Sequence, residues 1–468
     1  MKLELERSNF FKAWQIAEKY TAPQQRDSLG GIRITASGDT VTLEATDLKS
    51  SVKCPVRGAK VEESGTAVLN AAFFGNLLRK TTAETITLTV NDTRGMLEAD
   101  KSRSRFPVIP AETFPNIPES SGAEPVCSIM ASDFGRIITE GSCAASAPSD
   151  FPKYMGSCLL KTAENYIIVV STDGRRLARS KTLCMSLEKE SELVLPAAAL
   201  KETAKNFTGD GTVKVLADGS TVWFMLERSE IVKEEPETTA EGNTDSDGST
   251  DSEAQTENNV TKVEVMEFSM QRIETSYPKY EKILNNEVLT TLKVLKSELL
   301  PALERVDLVA KNNSGHVMAM YPTPKPKDNE PPLRITARAP ELGTANERLD
   351  TFVEGENMQI GFNAAYFIDG LKAVTSDSIT IEFSSDEGQT RILKDEGNDF
   401  LYMLMPIKLT PQDFVPNDDS EDFTVPEYTD DFPQDDGENE DSQEDDTPQD
   451  EAQQDEQAQQ YDDSDAPF

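Results

Sequence analysis

A chain of 468 residues has room for about three domains of roughly 150 residues each, and its 37% hydrophobic and 7% aromatic content is that of globular material. The net charge of −38 is concentrated in two places: residues 410–468 hold 23 Asp and Glu and no Lys or Arg, and residues 229–261 carry a net −9, leaving −6 for everything else. The acidic total therefore does not exclude a nucleic-acid partner, whereas the charged start Met-Lys-Leu-Glu-Leu-Glu-Arg and the lack of any run near the ~20 apolar residues of a spanning helix argue against secretion or a membrane and for the cytoplasm.

The first predicted element is a helix led by Ser8, in Asn-Phe-Phe-Lys-Ala-Trp-Gln-Ile-Ala, with apolar residues at helical spacing. A strand end then runs into a short amphipathic helix at Val68-Leu-Asn-Ala-Ala-Phe-Phe-Gly-Asn-Leu-Leu78, followed by the alternating strand Thr85-Ile-Thr-Leu-Thr-Val90. The order repeats. Ser132 leads Asp-Phe-Gly-Arg-Ile-Ile-Thr, Val194-Leu-Pro-Ala-Ala-Ala-Leu-Lys-Glu-Thr-Ala204 gives the second short helix, and Thr212-Val-Lys-Val215 the strand. It repeats again with Ser297 before Glu-Leu-Leu-Pro-Ala-Leu-Glu-Arg-Val, with Ile360-Gly-Phe-Asn-Ala-Ala-Tyr-Phe-Ile-Asp-Gly-Leu371, and with Ser378-Ile-Thr-Ile-Glu-Phe383. Each Ser is placed as an N-cap, and Asn70, Pro196 and Asn363 start the short helices.

The two series of landmarks agree. Helix-leading serines are 124 and 165 residues apart, and Asn70, Pro196 and Asn363 are 126 and 167 apart. In both series the second interval is longer by 41, and most of that excess is the polar stretch 229–261, which reads as a disordered insertion between two strands. The plan is α+β: three copies of a two-helix, antiparallel-sheet domain at 1–121, 122–289 and 290–409, then an acidic, disordered tail at 410–468.

Catalytic signatures are missing. His316 is the sole histidine, and no Ser/His/Asp, Cys/His or metal-spaced cluster accompanies it. Cys54, Cys127, Cys143, Cys158 and Cys184 form no CxxC pair and read as buried thiols in a reducing compartment. There is no GxxxxGK[ST] phosphate loop, and no cofactor is expected. An acidic interaction scaffold and a carboxylate-based hydrolase both fit the composition.

Five segments carry a family resemblance. They are Ser104-Arg-Phe106 leading to Phe114-Pro-Asn-Ile117, Thr172-Asp-Gly-Arg-Arg-Leu-Ala178, Tyr277-Pro-Lys-Tyr280, Ile360-Gly-Phe-Asn363 and Met405-Pro-Ile-Lys-Leu409. In order and spacing the chain resembles the β subunit of bacterial DNA polymerase III, the sliding clamps, over residues 1–409. The resemblance implies the DNA-clamp fold, a head-to-tail homodimeric ring and no catalysis. It implies sequence-independent binding of duplex DNA, tethering of the DNA polymerase III α subunit and other polymerases, and loading by a clamp loader complex.

It also implies three sets of residues. A pocket for partner peptides falls on Met155, Thr172, Gly174, Arg176, Leu177, Pro278, Lys282, Ile283, Met403, Met405, Pro406 and Ile407, where methionines suit varied ligands. Lys282 and Lys408 stand where Arg is more usual in the family. DNA-facing cations are Lys12, Lys19, Arg79, Lys80, Arg136, Lys201, Lys205, Arg305 and Lys372 on helices, with Arg26, Lys153 and Tyr154 on loops; Lys153 stands where a Tyr can occur. Ring closure falls on Phe106 and Val108 from the first domain against Leu308 and Val309 from the third. The tail is outside the resemblance and reads either as a solubilising segment or as a competitor for the basic wall or the pocket.

Overall fold

The computed structural model describes residues 1–415 apart from 24–26, 149, 234–258, 285–286, 327–329, 386–387 and 395–398. Six α-helices occur among the described residues: α1 Arg7–Glu18, α2 Ala71–Lys80, α3 Ala131–Gly141, α4 Ala197–Ala204, α5 Lys296–Ala310 and α6 Ala364–Ala373. None is long and apolar enough to cross a membrane. They pack as pairs, α1 with α2, α3 with α4 and α5 with α6.

Every helix follows a strand without a loop. Asn70 and Asn363 cap α2 and α6 as expected, their side chains accepting from Phe73 N at 2.9 Å and Tyr366 N at 3.1 Å. The expected serine caps are displaced. The N-caps of α1, α3 and α5 are Glu6, Met130 and Leu295, the last extended residues of the preceding strands. Ser8, Ser132 and Ser297 therefore lie inside the first turn. Glu6 instead bonds back onto the turn by accepting from Ser8 Oγ at 2.6 Å and Asn9 Nδ2 at 2.8 Å, and Asp377 accepts from Ser297 N and Oγ at 2.8 and 3.0 Å.

The buried faces are those the 3.6-residue period predicts. In α1 they are Phe10, Ala13, Trp14 and Ala17, in α2 Ala71, Phe74 and Leu78. Each helix pair buries an aromatic trio against its sheets: Phe10, Trp14 and Phe74, then Phe134, Phe207 and Phe224, then Phe362, Phe367 and Phe383. A buried Phe contributes about 1.5–3 kcal/mol through transfer from water.

The strands form antiparallel sheets of five, nine, nine and four strands. Both nine-stranded sheets cross the expected repeat boundaries. Glu267–Met270 pairs with Ser50–Lys53, joining the first repeat to the second, and Arg176–Ser180 pairs with Phe400–Leu404, joining the second to the third. The five-stranded sheet ends on the strand Ser102–Pro107 and the four-stranded sheet on Gly343–Leu349, each unpaired along its outer edge among the described residues.

Residues 229–233 and 259–261, expected to belong to a disordered insertion, are strand. Thr221–Lys233 and Asn259–Gln271 pair in unbroken register as far as Lys233 opposite Asn259. The acidic remainder, 234–258, lies outside the described residues. The tail also begins with structure. Pro411–Asp413 is a 3-10 turn closed by a capping box, with Thr410 N and Oγ1 both donating to Asp413 Oδ2 at 2.7 Å. Residues 416–468 lie outside the described residues.

Candidate functional site

The Thr172–Leu177 turn is built by short polar contacts. Thr172 Oγ1 donates to Arg176 O at 2.7 Å and accepts from Gly174 N at 3.1 Å, while Asp173 Oδ1 accepts from the amides of Arg175 and Arg176, both at 3.0 Å. Gly174 sits at φ +83°, where a Cβ is strained; that Cβ would lie 3.5 Å from Met155 Cε. The Arg176 guanidinium donates to Asp173 Oδ2 at 2.9 Å, to Asp369 Oδ2 at 2.8 Å and to Tyr402 OH at 3.3 Å, and lies 4.2 Å above the Tyr366 ring. Burial opposes its charge, but Tyr402, Asp369 and Asp173 outweigh that and hold it firmly protonated.

Beside this turn runs the Met405–Ile407 segment. Met405 N donates to Arg175 O at 2.9 Å and Ile407 N to Gly361 O at 2.8 Å. A Cβ on Gly361 would meet Ile407 O at 2.4 Å, so glycine is required there for the approach of the two segments. Leu177 and Met403 face each other across paired strands and are buried with Leu159, Val170, Val194, Tyr280 and Leu401, with Ile283 packed against them. Thr172, Leu177 and Met403 are buried rather than exposed. Met405 is 43% exposed, Met155, Pro278, Pro406 and Ile407 are half-buried, and Lys282 is exposed. Tyr154, expected to face DNA, has its ring 6.0 Å from that of Tyr277, whose hydroxyl donates to Val170 O at 3.2 Å. Asp173, Tyr366, Asp369 and Tyr402 were missed in the sequence. Asp173 had a local signal in its Asp-Gly turn, whereas Asp369 and Tyr402 are 193 and 226 residues from Arg176.

The predicted DNA-facing cations divide into two groups. Lys12, Lys19, Arg79, Lys80, Lys153 and Lys201 are exposed and form no ion pair among the described residues; Arg79 donates to Asn76 Oδ1 at 2.6 Å. The others are matched by acids. Arg136 lies 3.3 Å from Asp133 and 3.2 Å from Glu140, Lys205 2.5 Å from Glu202, Arg305 2.7 Å from Glu347 and Lys372 2.8 Å from Glu304. Arg26 lies outside the described residues. Of the residues expected at ring closure, Leu308 is 59% exposed and Val108 and Val309 are half-buried. Phe106 is buried within its own chain, 5.2 Å from the Phe74 ring, and its exposed neighbour is Phe73, missed in the sequence.

The described residues hold no cluster of His, Cys, Asp and Glu able to bind a metal. His316 sits in the turn after α5 at φ +58° with Nε2 2.5 Å from Asp307 Oδ1. Residues 1–118 match the family model for the N-terminal domain of the DNA polymerase III beta subunit, and residues 281–408 match the model for its C-terminal domain. Together they cover more than half of the chain.

The chain belongs to the DNA polymerase III beta subunit family.

It is thus a sliding clamp, a processivity factor and not itself an enzyme. The beta sliding clamp of Streptococcus pneumoniae is 24% identical to it over 393 residues, covering 81% of this chain and 92% of that protein, and that of Pseudomonas putida is 23% identical over 385 residues with the same coverage. Among solved structures, the sliding clamp of Bacillus subtilis superposes with a TM-score of 0.72 at 19% identity, over 88% of this chain and all of that one. The beta subunit from Thermotoga maritima gives 0.71 at 20%, over 87% and all. At such identities the structures speak for the fold of the clamp alone.

Proposed function

We propose that two copies of this chain close head to tail into a cytoplasmic ring around duplex DNA. The ring slides without reading sequence and holds the DNA polymerase III α subunit, other polymerases and the clamp loader through peptides seated between the Thr172–Leu177 turn and Met405–Ile407. The sheet count carries this reading. Two joins inside the chain make nine-stranded sheets, and what remains is a five-stranded and a four-stranded sheet, each with an open edge. Edge-to-edge pairing of Ser102–Pro107 with Gly343–Leu349 of a second copy makes a third sheet of nine and removes both exposed edges. Three domains meeting near residues 121 and 289 then supply six helices per copy to the inner wall.

Closure around DNA retains it without adhesion, so weak phosphate attraction from exposed lysines suffices. Three methionines and a glycine give the peptide site a surface that repacks around different ligands.

Sedimentation velocity, together with retention on circular and linear plasmids after loading, tests the reading. A dimer that persists on closed circles and runs off cut ones is expected. A monomer at micromolar concentration, or equal loss from both substrates, overturns it.

A further inference from the structure

We infer that the attraction for DNA phosphate on the helical wall is concentrated on the first helix pair, with Lys201, and that the third pair is neutralised by its own carboxylates. This rests on the ring reading above. The helices differ in net charge although they repeat in fold. α1 and α2 carry Arg7, Lys12, Arg79 and Lys80 against Glu18 alone. α3 and α4 carry Arg136 and Lys201 against Asp133, Glu140 and Glu202, and α5 and α6 carry Lys296, Arg305 and Lys372 against Glu298, Glu304, Asp307 and Asp369. The first pair is thus net +3 and the other two are each net −1.

Geometry sharpens the contrast. Lys12 and Lys19 lie two turns apart on the stripe of α1 opposite Phe10, Trp14 and Ala17, and line a groove between α1 and α4 whose far side holds the paired Lys205 and Glu202, leaving Lys12 and Lys19 as its unmatched charges among the described residues. That junction is fixed below by Tyr20 OH and Thr203 Oγ1, 2.8 Å apart and buried. In the third pair, Lys372 reaches across to Glu304 on α5, and Arg305 makes a two-pronged bond to Glu347 with Nε and Nη2 at 2.8 and 2.7 Å. The inference needs no great strength in these pairs. A lysine with a carboxylate against it presents no net charge to a phosphate beyond the screening length of about 10 Å at 0.1 M salt. Moving it onto a phosphate leaves the carboxylate facing the DNA. In a twofold ring the wall then has two basic stretches, one from each copy, separated by neutral to acidic ones.

The test is the salt dependence of affinity for a fluorescent 30-base-pair duplex, read by anisotropy with the assembled protein. Each phosphate contact contributes about 0.9 to the slope of log K against log salt. Lys12→Gln with Lys19→Gln is expected to flatten the slope by about 2, and adding Arg79→Gln and Lys80→Gln to flatten it by about 4 in all. The charge-neutral exchange Lys372→Gln with Glu304→Gln leaves the slope unchanged. Glu304→Gln with Glu347→Gln frees two cations and steepens it by about 2, a gain that misfolding cannot produce. If the neutral exchange in the third pair flattens the slope as much as the Lys12 and Lys19 change, or the Glu304 and Glu347 change steepens nothing, the inference falls. If the unaltered protein shows no salt-dependent binding to duplex, the inference falls by itself, because the ring reading stands or falls on sedimentation and plasmid retention.

Discussion

Ser180 Oγ donates a 2.5 Å hydrogen bond to Glu140, whose side chain on α3 is fully buried. The same carboxyl accepts from Thr375 Oγ1 at 3.3 Å, in the turn after α6, and lies against Arg136 at 3.2 Å. One acid thus links α3, a sheet strand of the second repeat and a turn of the third. Glu140→Ala leaves a buried hydroxyl and a largely covered guanidinium without it, and is expected to cost about 3–5 kcal/mol. Urea unfolding of the variant reads the loss; a midpoint equal to that of the parent would show that the link contributes nothing.

The Gly174 backbone sits in the left-handed region with ordinary space around it. Gly174→Ala should therefore destabilise by strain rather than by collision, about 1–2 kcal/mol. It should also weaken binding of a polymerase-derived peptide, because the turn carries Arg175 O, which anchors Met405. Gly174→Asn, which tolerates the left-handed region, should recover most of both losses by calorimetry.

Leu308 and Phe73 are exposed in the single chain, at 59% and 52%. Leu308→Asp or Phe73→Asp should leave the melting temperature of the isolated chain unchanged and shift the sedimenting species to monomer, since a charge in an apolar contact is left without a partner. Leu183→Asp, equally exposed at 61% but on Arg176–Leu183, a strand paired on both sides within one chain, is the control expected to stay dimeric.

Asp218 closes the turn before Thr221–Lys233 by accepting from Ser220 N at 2.7 Å and Thr221 N at 2.6 Å. Slight burial raises its pKa, but those amides, the Ser220 hydroxyl and Arg272 outweigh it, so the carboxyl titrates below its ordinary value. A depressed folded-state pKa means stabilisation that is present above the unfolded value near ~3.9 and lost as pH falls through the folded one. The stability difference between the parent and Asp218→Asn should thus be constant from pH 7 to about 5 and shrink below about 4. A difference that persists at pH 2 would rule this out.

What the sequence shows is what is local. Asn70 and Asn363 are legible as caps because cap and helix are adjacent. Ser8, Ser132 and Ser297 mislead because a strand feeding directly into a helix moves the cap two residues earlier, and no neighbouring residue reports that. The Thr172 and Met405 segments are legible as motifs, yet the grip of Asp369 and Tyr402 on Arg176 is set by folding alone. The same holds for the cations: Lys372 and Lys12 look alike in sequence, and only the fold places Glu304 against one of them.

Backbone ladders cross both internal boundaries, at Ser50–Lys53 with Glu267–Met270 and at Arg176–Ser180 with Phe400–Leu404. Hinging at either place would tear several amide–carbonyl bonds at once while stripping apolar side chains of cover. In the proposed assembly the chain accordingly moves as a stiff body, and the gate that admits the double helix has to open where one copy touches the other.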